Sequence, residues 1–358
     1  MNSPLTQHPT ARRPRRGRLH AAAAAVAAAA MILTGCASQP SADQTGAPAK
    51  ELDKMVFLSY LPFETTSLAP EMLAYAAGYF EEEGLDIQLQ PVTGSPVALQ
   101  GLLGGVAPIT RVGGIDVLTT ASQGQPLVNV GTLERGGGFR LVSAKEAPIT
   151  ELKELQGKTI GVGSRGGTSE KTLRLAMSAA GLDPDSMELQ VVGLTPATFA
   201  LVQQGQIDAY LLGIDTAEMV AAQNADAVLS PAEMLIAPTD IQVYAGTETS
   251  VETHSDQIKR FLKAIQRAVD FIVADENLEE TIKILRSEFS FAALDDDEVA
   301  KASLDAYRKV WLGDGKFPIL ETDIPRWEAA YDLLVEAGLS EPNGDPLAWV
   351  TNDLVPAP

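Results

Sequence analysis

The chain has 358 residues, room for two domains of about 100–200 residues each, and its 45% hydrophobic and 21% charged content excludes a mainly disordered or collagen-like protein. Net charge is −20, and beyond residue 35 there are 22 Lys and Arg against 47 Asp and Glu, which argues against nucleic-acid partners. One Cys excludes an internal disulfide or Cys-cluster metal site, and His8, His20 and His254 leave only His254 in the folded part.

A basic stretch, Arg12-Arg13-Pro14-Arg15-Arg16-Gly17-Arg18, precedes an apolar run over 21–33 and then Leu33-Thr34-Gly35-Cys36. The apolar run is too short for a membrane span, which needs about 20 residues, and has the shape of a secretory signal. With Cys36 at the first position after the cleavage point, it resembles the bacterial lipobox, which implies lipidation of Cys36. Residues 1–35 are read as the signal. Residues 36–53, small, polar and Pro-containing at their start, are read as a flexible tether. The expected location is outside the cytoplasm, as a cell-membrane lipoprotein facing the periplasm or cell exterior.

From there strand and helix alternate. Apolar or alternating runs predict strands at 55–60, 85–92, 106–110, 126–133, 139–143, 158–162, 188–192 and 208–212. Between them, helical spacing and Pro or Gly punctuation predict helices over 68–80, 96–104, 115–122, 168–180, 196–204 and 216–223. From residue 251 onward the pattern turns helical and amphipathic, with Ile258, Phe261, Leu262, Ile265, Val269 and Ile272 on one face. This order predicts an α/β protein with mostly parallel sheets.

A long-range echo runs through the middle. Gly84-Leu85-Asp86, Pro96, Gly105 and Gly114-Ile115-Asp116 recur as Gly181-Leu182-Asp183, Pro196, Gly205 and Gly213-Ile214-Asp215. The spacings are 12, 9 and 9 residues, then 15, 9 and 8. The glycines are expected to cap helices and to turn strands into helices. Two lobes of similar plan, facing each other across a cleft, follow.

Ligands of open α/β sheets gather where strands end and helices begin. That rule selects 60–65, 93–95, 110–115, 134–139, 163–169 and 213–215. The expected ligand-binding residues are Tyr60, Phe63, Glu64, Ser95, Arg111 and Gly114 in the first part of the chain. Arg135, Gly137, Phe139, Ser164, Arg165, Gly166, Gly167, Thr168, Gly213 and Asp215 complete the set. Gly163–Ser169 reads as an anion cradle, and Arg111, Arg135 and Arg165 as forks for carboxylate or sulfonate oxygens. Glu64 and Asp215 could hold an amine, so a zwitterion also fits. Asp116 and Asp215 read most simply as helix N-caps. Gly161-x-Gly163-x-x-Gly166 has the dinucleotide spacing, but no acid ends the next strand to hold a ribose. No cofactor, metal or catalytic residue is expected.

The run Gly78-Tyr79-Phe80-Glu81-Glu82-Glu83-Gly84-Leu85-Asp86 resembles a signature of solute-binding proteins for nitrate, sulfonate, taurine and thiamine-pyrimidine precursors. Leu152-Lys153-Glu154-Leu155-Gln156-Gly157-Lys158-Thr159-Ile160-Gly161 and Leu201-Val202-Gln203-Gln204-Gly205-Gln206-Ile207-Asp208-Ala209 extend the resemblance over roughly residues 55 to 275. It implies a two-lobed periplasmic-binding-protein fold of type II, with residues 54–140 and 246–358 in one lobe and 141–245 in the other. It also implies a monomer that hands a small solute to an ABC permease and its ATPase. The expected hinge strands are 139–144 and 241–246. An anionic or zwitterionic solute such as a sulfonate, taurine or nitrate is expected. The alternatives are a pyrimidine-precursor receptor and, from a different class, a pyrimidine-synthesis-type enzyme. Where pyrimidine-precursor binders carry Asp-Trp this chain has Ser59-Tyr60. Where the family often carries Trp-Asp/Glu-Pro it has Ile214-Asp215-Thr216, so aromatic cover would come from Tyr60, Phe63, Phe139 or Tyr244.

Overall fold

Among the described residues, ten strands fall into two sheets of five that share one plan. A computed structural model describes residues 51–235, 239–313, 315–342 and 344–357. The signal, Cys36 and the tether as far as residue 50 lie outside the described residues. In the first sheet are β1 (Asp53–Ser59), β2 (Leu85–Pro91), β3 (Ile109–Val112) and β4 (Leu127–Glu134). In the second are β5 (Phe139–Ala144), β6 (Thr159–Val162), β7 (Glu188–Val191), β8 (Ala209–Gly213) and β9 (Ala227–Leu229). The last strand, β10 (Gln242–Thr247), returns to the first sheet. Strand order is β2-β1-β3-β10-β4 in one sheet and β7-β6-β8-β5-β9 in the other.

The sheets are mixed rather than mostly parallel. β1, β2 and β3 run parallel, as do β6, β7 and β8. β10 lies antiparallel between β3 and β4, and β5 lies antiparallel between β8 and β9. Each antiparallel strand is the one that arrives from the opposite half. The chain therefore crosses between Glu134 and Phe139 and again between Leu229 and Gln242, and the expected hinge segments 139–144 and 241–246 fall on β5 and β10, the strands that adjoin those crossings. β10 also belongs to the first sheet from Gln242, before the expected return at 246.

The echo in the sequence is this shared plan. Gly84, Gly105, Gly181 and Gly205 all take φ between 67° and 79°, the left-handed conformation that ends a helix. Gly78, at φ 74°, splits the helix expected over 68–80 into Ala69–Ala76 and Tyr79–Glu82. Pro108 offers no N–H to a ladder, and β3 begins only at Ile109, later than the 106–110 expected.

Alternation along the strands supplies a core on each face. In β10, Tyr244 joins the cluster of Phe57, Met72 and Phe261, whereas Val243 and Ala245 join that of Leu99, Val112 and Trp327. In β8, Ala209 and Leu211 face Leu141 and Ile160, while Tyr210 and Leu212 face Val142 and Phe199. The helix Ser255–Ala274 buries the predicted face, with Phe261 stacked between Phe57 at 5.0 Å and Phe80 at 5.2 Å. The helix Asp297–Leu312 packs on the helix Ile214–Gln223 as well as on the turn Thr66–Leu68. It thereby touches both halves, all within the single unit Lys50–Pro358. No described helix is long and apolar enough to cross a membrane.

Candidate functional site

Three charged residues lie where the pattern is otherwise apolar, and they meet. Arg111 in β3, Glu71 in the helix Ala69–Ala76 and Glu134 at the end of β4 are all fully buried. Arg111 Nη1 donates to both Glu71 oxygens at 3.0 and 3.2 Å and to Ser67 O at 2.8 Å. Its Nη2 donates to Glu134 Oε1 at 2.8 Å and Ser67 Oγ at 3.0 Å. Ser67 Oγ also donates to Glu134 Oε1 at 3.0 Å, and Gln242 Nε2 donates to Ser67 Oγ at 3.2 Å. The Tyr244 hydroxyl donates to Glu71 at 2.7 Å.

One cation between two carboxylates leaves the cluster an acid in excess. Burial pushes Glu134 up to about 6, although Arg111 pulls it down. Burial alone would lower Arg111, but Glu71 and Glu134 hold it above its ordinary value. Burial, reinforced by Glu134, likewise raises the Tyr60 hydroxyl.

The network is also incomplete. Arg111 Nε, Glu134 Oε2, Gln242 Oε1, Trp311 Nε1 and Thr66 Oγ1 are buried without a hydrogen-bond partner. The Trp311 N–H is near enough to lower Glu134 without completing a bond to it. Buried polar atoms are nearly always paired, so these unsatisfied donors and acceptors single out the cluster as a candidate site. The 135–138 crossing runs against this floor: a Cβ at Gly138 would stand 2.6 Å from Glu134 Oε2.

Above the floor the two halves touch. From the helix Gly114–Ser122, Asp116 Oδ2 accepts from Thr168 Oγ1 at 2.5 Å and Oδ1 accepts from Lys171 Nζ at 2.7 Å. Ser95 Oγ lies 3.0 Å from Thr168 Oγ1. A Cβ at Gly113 would come within 2.8 Å of both Thr168 and Asp116, so only glycine permits this approach. On the other side Asp215 Oδ2 accepts from Thr66 N at 3.0 Å, and the Tyr307 hydroxyl accepts from Ile214 N at 3.2 Å. Burial raises Asp215, with hydrogen bonds from Thr65 and from backbone opposing.

Of the expected ligand residues, the structure brings Tyr60, Ser95, Gly114, Thr168, Gly213 and Asp215 to this junction of halves. Ser164 reaches it as well, with its Oγ 3.9 Å from where a Gly94 Cβ would stand. Arg111 belongs to the floor but is no free fork, its terminal nitrogens being held by Glu71, Glu134 and Ser67. Arg135 bonds the carbonyls of Pro318 and Glu321 and lies over the Phe317 ring at 5.8 Å. Gly137 accompanies it into a separate cavity at the crossing. Arg165 is exposed and pairs with Glu170. Glu170 also fills the expected anion cradle, its Oε2 accepting from Gly166 N at 2.9 Å, while Gly167 packs on Ser164. Glu64 is exposed, and Phe63 lines a groove with Tyr75 and Phe289 at the β1–β2 edge. Phe139 is half-buried against the second sheet's core, and Tyr244 is fully buried in the first's with its hydroxyl on Glu71. Asp116 and Asp215 are not the caps of their helices, since Gly113 and Gly213 hold those positions.

Ser67, Glu71, Gln242, Tyr307, Trp311 and Lys171 were missed. The available signal was charge in apolar context: Glu71 between Pro70 and Met72, and Glu134 closing an apolar strand.

Two sheets of matching order, exchanging one strand each and meeting over a polar floor, define the type II periplasmic-binding-protein fold. The periplasmic aliphatic sulphonate binding protein SsuA of Escherichia coli superposes with a TM-score of 0.64 at 18% identity, over 84% of this chain and 98% of SsuA. Residues 65–277 match the family described as NMT1/THI5 like, and the chain belongs to that family of solute-binding proteins. The riboflavin-binding protein RibY of Chloroflexus aurantiacus is 24% identical over 91% of this chain and 95% of its own. The 4-amino-5-hydroxymethyl-2-methylpyrimidine phosphate synthase THI13 of Saccharomyces cerevisiae is 28% identical over 62% of this chain and 68% of its own.

Proposed function

We propose that this chain is the lipid-anchored, extracytoplasmic receptor of an ABC importer, and that its solute is a small nitrogen heterocycle. The observation that carries the reading is the set of orphaned donors and acceptors around Ser67, Arg111, Glu134 and Gln242. A ring bearing both N–H groups and acceptor atoms complements such a floor, and a sulfonate or nitrate, which only accepts, does not. The acid in excess works against an anion. The three arginines that favoured a sulfonate, taurine or nitrate are bound to protein groups. Tyr60, Tyr307 and Trp311, the last two stacked at 6.0 Å, lie buried close to Glu134, where opening of the halves would present them to a heterocycle. The names of RibY and THI13 carry heterocycles too. Capture without turnover is the reading adopted over the synthase class. His254 is exposed between the helices Glu248–Thr253 and Ser255–Ala274, bonded to Thr253.

Calorimetric titration with riboflavin, 4-amino-5-hydroxymethyl-2-methylpyrimidine, taurine and nitrate tests this. One heterocycle per chain should bind, and taurine and nitrate should not. Tighter binding of taurine or nitrate than of either heterocycle would overturn the choice of solute, and turnover of a bound heterocycle would restore the enzyme.

A further inference from the structure

A second cavity, of about 530 Å³, lies at the crossing between the sheets. Its volume falls within the usual range for small-molecule sites, about 300–1,000 Å³. Its walls come from both halves: Gly136 and Gly137 of the outgoing crossing, Ala232 of the returning segment, and Val310 of the helix Asp297–Leu312. Four cations border it, Arg135, Arg140, Lys309 and Arg326, against one acid, Asp323. Asp323 is occupied as a helix cap, accepting from Arg326 N. On a chain this acidic, a concave basic spot concentrates anions that the remaining surface repels.

The four cations differ in what they can offer. Arg135 and Arg326 are already engaged: Arg135 on the carbonyls of Pro318 and Glu321, Arg326 on the carbonyls of Thr239 and Arg135 and, through Nε, on the buried Asp240 carboxylate at 3.3 Å. Arg140 is anchored through Nη1 alone, to the carbonyls of Gly137 and Phe139 at 2.9 and 2.8 Å. Among the described residues no carboxylate lies within ion-pair distance of it. Burial lowers its pKa, and Glu218 and Glu233 oppose that only from a distance. A half-buried guanidinium, fixed in place and lacking a counter-ion, is suited to accept one from a ligand. Lys309 lines the same cavity with a mostly exposed ammonium, paired among the described residues to Asp305 at the surface. Ala232, Ala306, Val310 and Phe317 make the other walls apolar.

We propose that this crossing cavity is a second binding site, distinct from the solute cleft, for a small organic carboxylate. Arg140 and Lys309 hold the carboxylate group, and Phe317 with Val310 covers its apolar body. Because both crossings form the walls, occupancy depends on how the halves are set. An occupant and a cleft solute therefore influence each other reciprocally.

Benzoate is the probe, titrated calorimetrically into the purified chain at low ionic strength, where screening is least. One benzoate per chain should bind saturably, and acetate, which lacks the apolar body, more weakly. Arg140→Gln should weaken benzoate about ten- to a hundredfold, the usual worth of a charged hydrogen bond. Lys283→Gln, which removes an exposed cation on the helix Glu279–Glu288 remote from both sites, should leave benzoate binding unchanged. Absence of saturation up to about 10 mM, wild-type affinity in Arg140→Gln, or loss of benzoate binding in Lys283→Gln would each overturn the assignment. Inorganic phosphate binding as tightly as benzoate would overturn the carboxylate class. Should Arg140→Gln not fold, Ala306→Leu fills the cavity with every cation retained. Unchanged benzoate affinity in that variant would equally defeat the proposal.

Discussion

Asp116 and Asp215 hold equivalent places in the two halves, and each carboxylate reaches across to the other half. Asp116, just after β3, accepts from Thr168 at the start of the first helix following β6. Asp215, just after β8, accepts from Thr66 N in the turn that precedes the first helix following β1. The shared plan of the sheets thus yields two reciprocal latches, one on each side of the floor. Only the first is charged on both sides, through Lys171.

Breaking the charged latch should favour the open arrangement. Asp116→Asn removes the Lys171 pair and weakens the Thr168 bond, a loss of about 1.5–3 kcal/mol for charged hydrogen bonds. Solute affinity should fall roughly ten- to a hundredfold, and small-angle scattering of the solute-bound protein should show an expanded particle. Asp215→Asn should act in the same direction. Because the latches share no partners, the double variant should be nearly additive.

Gly113→Ala separates closure from folding. The added methyl would meet Thr168 from across the junction, and the Asp116 carboxylate that Thr168 holds in place, a clash of about 1–3 kcal/mol in the closed arrangement. Opening the halves relieves it. The expected outcome is weaker solute binding by calorimetry with almost no change in melting temperature. A large drop in melting temperature would mean that the junction is part of the folded core.

Acid should stabilise the solute-free protein over a defined window. Glu134 is pushed up to about 6 by burial, so the folded chain holds a proton that the unfolded chain has already released. Its contribution is fullest below the ordinary carboxylate value and is lost as pH rises through about 6, amounting to roughly 2 kcal/mol. Asp215 and Asp240, also raised by burial, act in the same direction. Urea unfolding between pH 4.5 and 7 checks this. Glu134→Gln should flatten the profile.

Solute affinity should show the opposite trend. An N–H donated to Glu134 favours its ionised form, so binding below pH 6 must first expel a proton. Affinity for the heterocycle should rise as pH climbs toward about 6 and level off above it, by at most about tenfold per unit. Glu134→Gln should abolish that dependence while retaining the fold.

Much of the architecture was legible in the sequence because periodicity and glycine placement are local. The helix Ser255–Ala274, the cap glycines and the paired echo are each set by neighbours within a few turns. Direction within the sheets was not legible, since β5 and β10 take their antiparallel places through crossings that no local pattern encodes. Strand-end logic selected Ser95, Thr168 and Asp215, which the fold brings to the junction of the halves, and Tyr60, which it places near Glu134. It took Arg111 and Arg165 as free forks because nothing in either announces that Glu71, Glu134 or Glu170 folds onto it. Side-chain pairing between distant segments decides whether a charge is offered to a ligand, and such pairing is a property of the packed chain.

Native mass spectrometry of the protein purified from its own host tests the central claim most directly. One small nitrogen heterocycle per chain should accompany the wild type and be lost from Glu134→Gln with Asp116→Asn. A sulfonate or nitrate in its place, or a heterocycle retained undiminished by that double variant, would contradict a cleft that closes over the Glu134 floor.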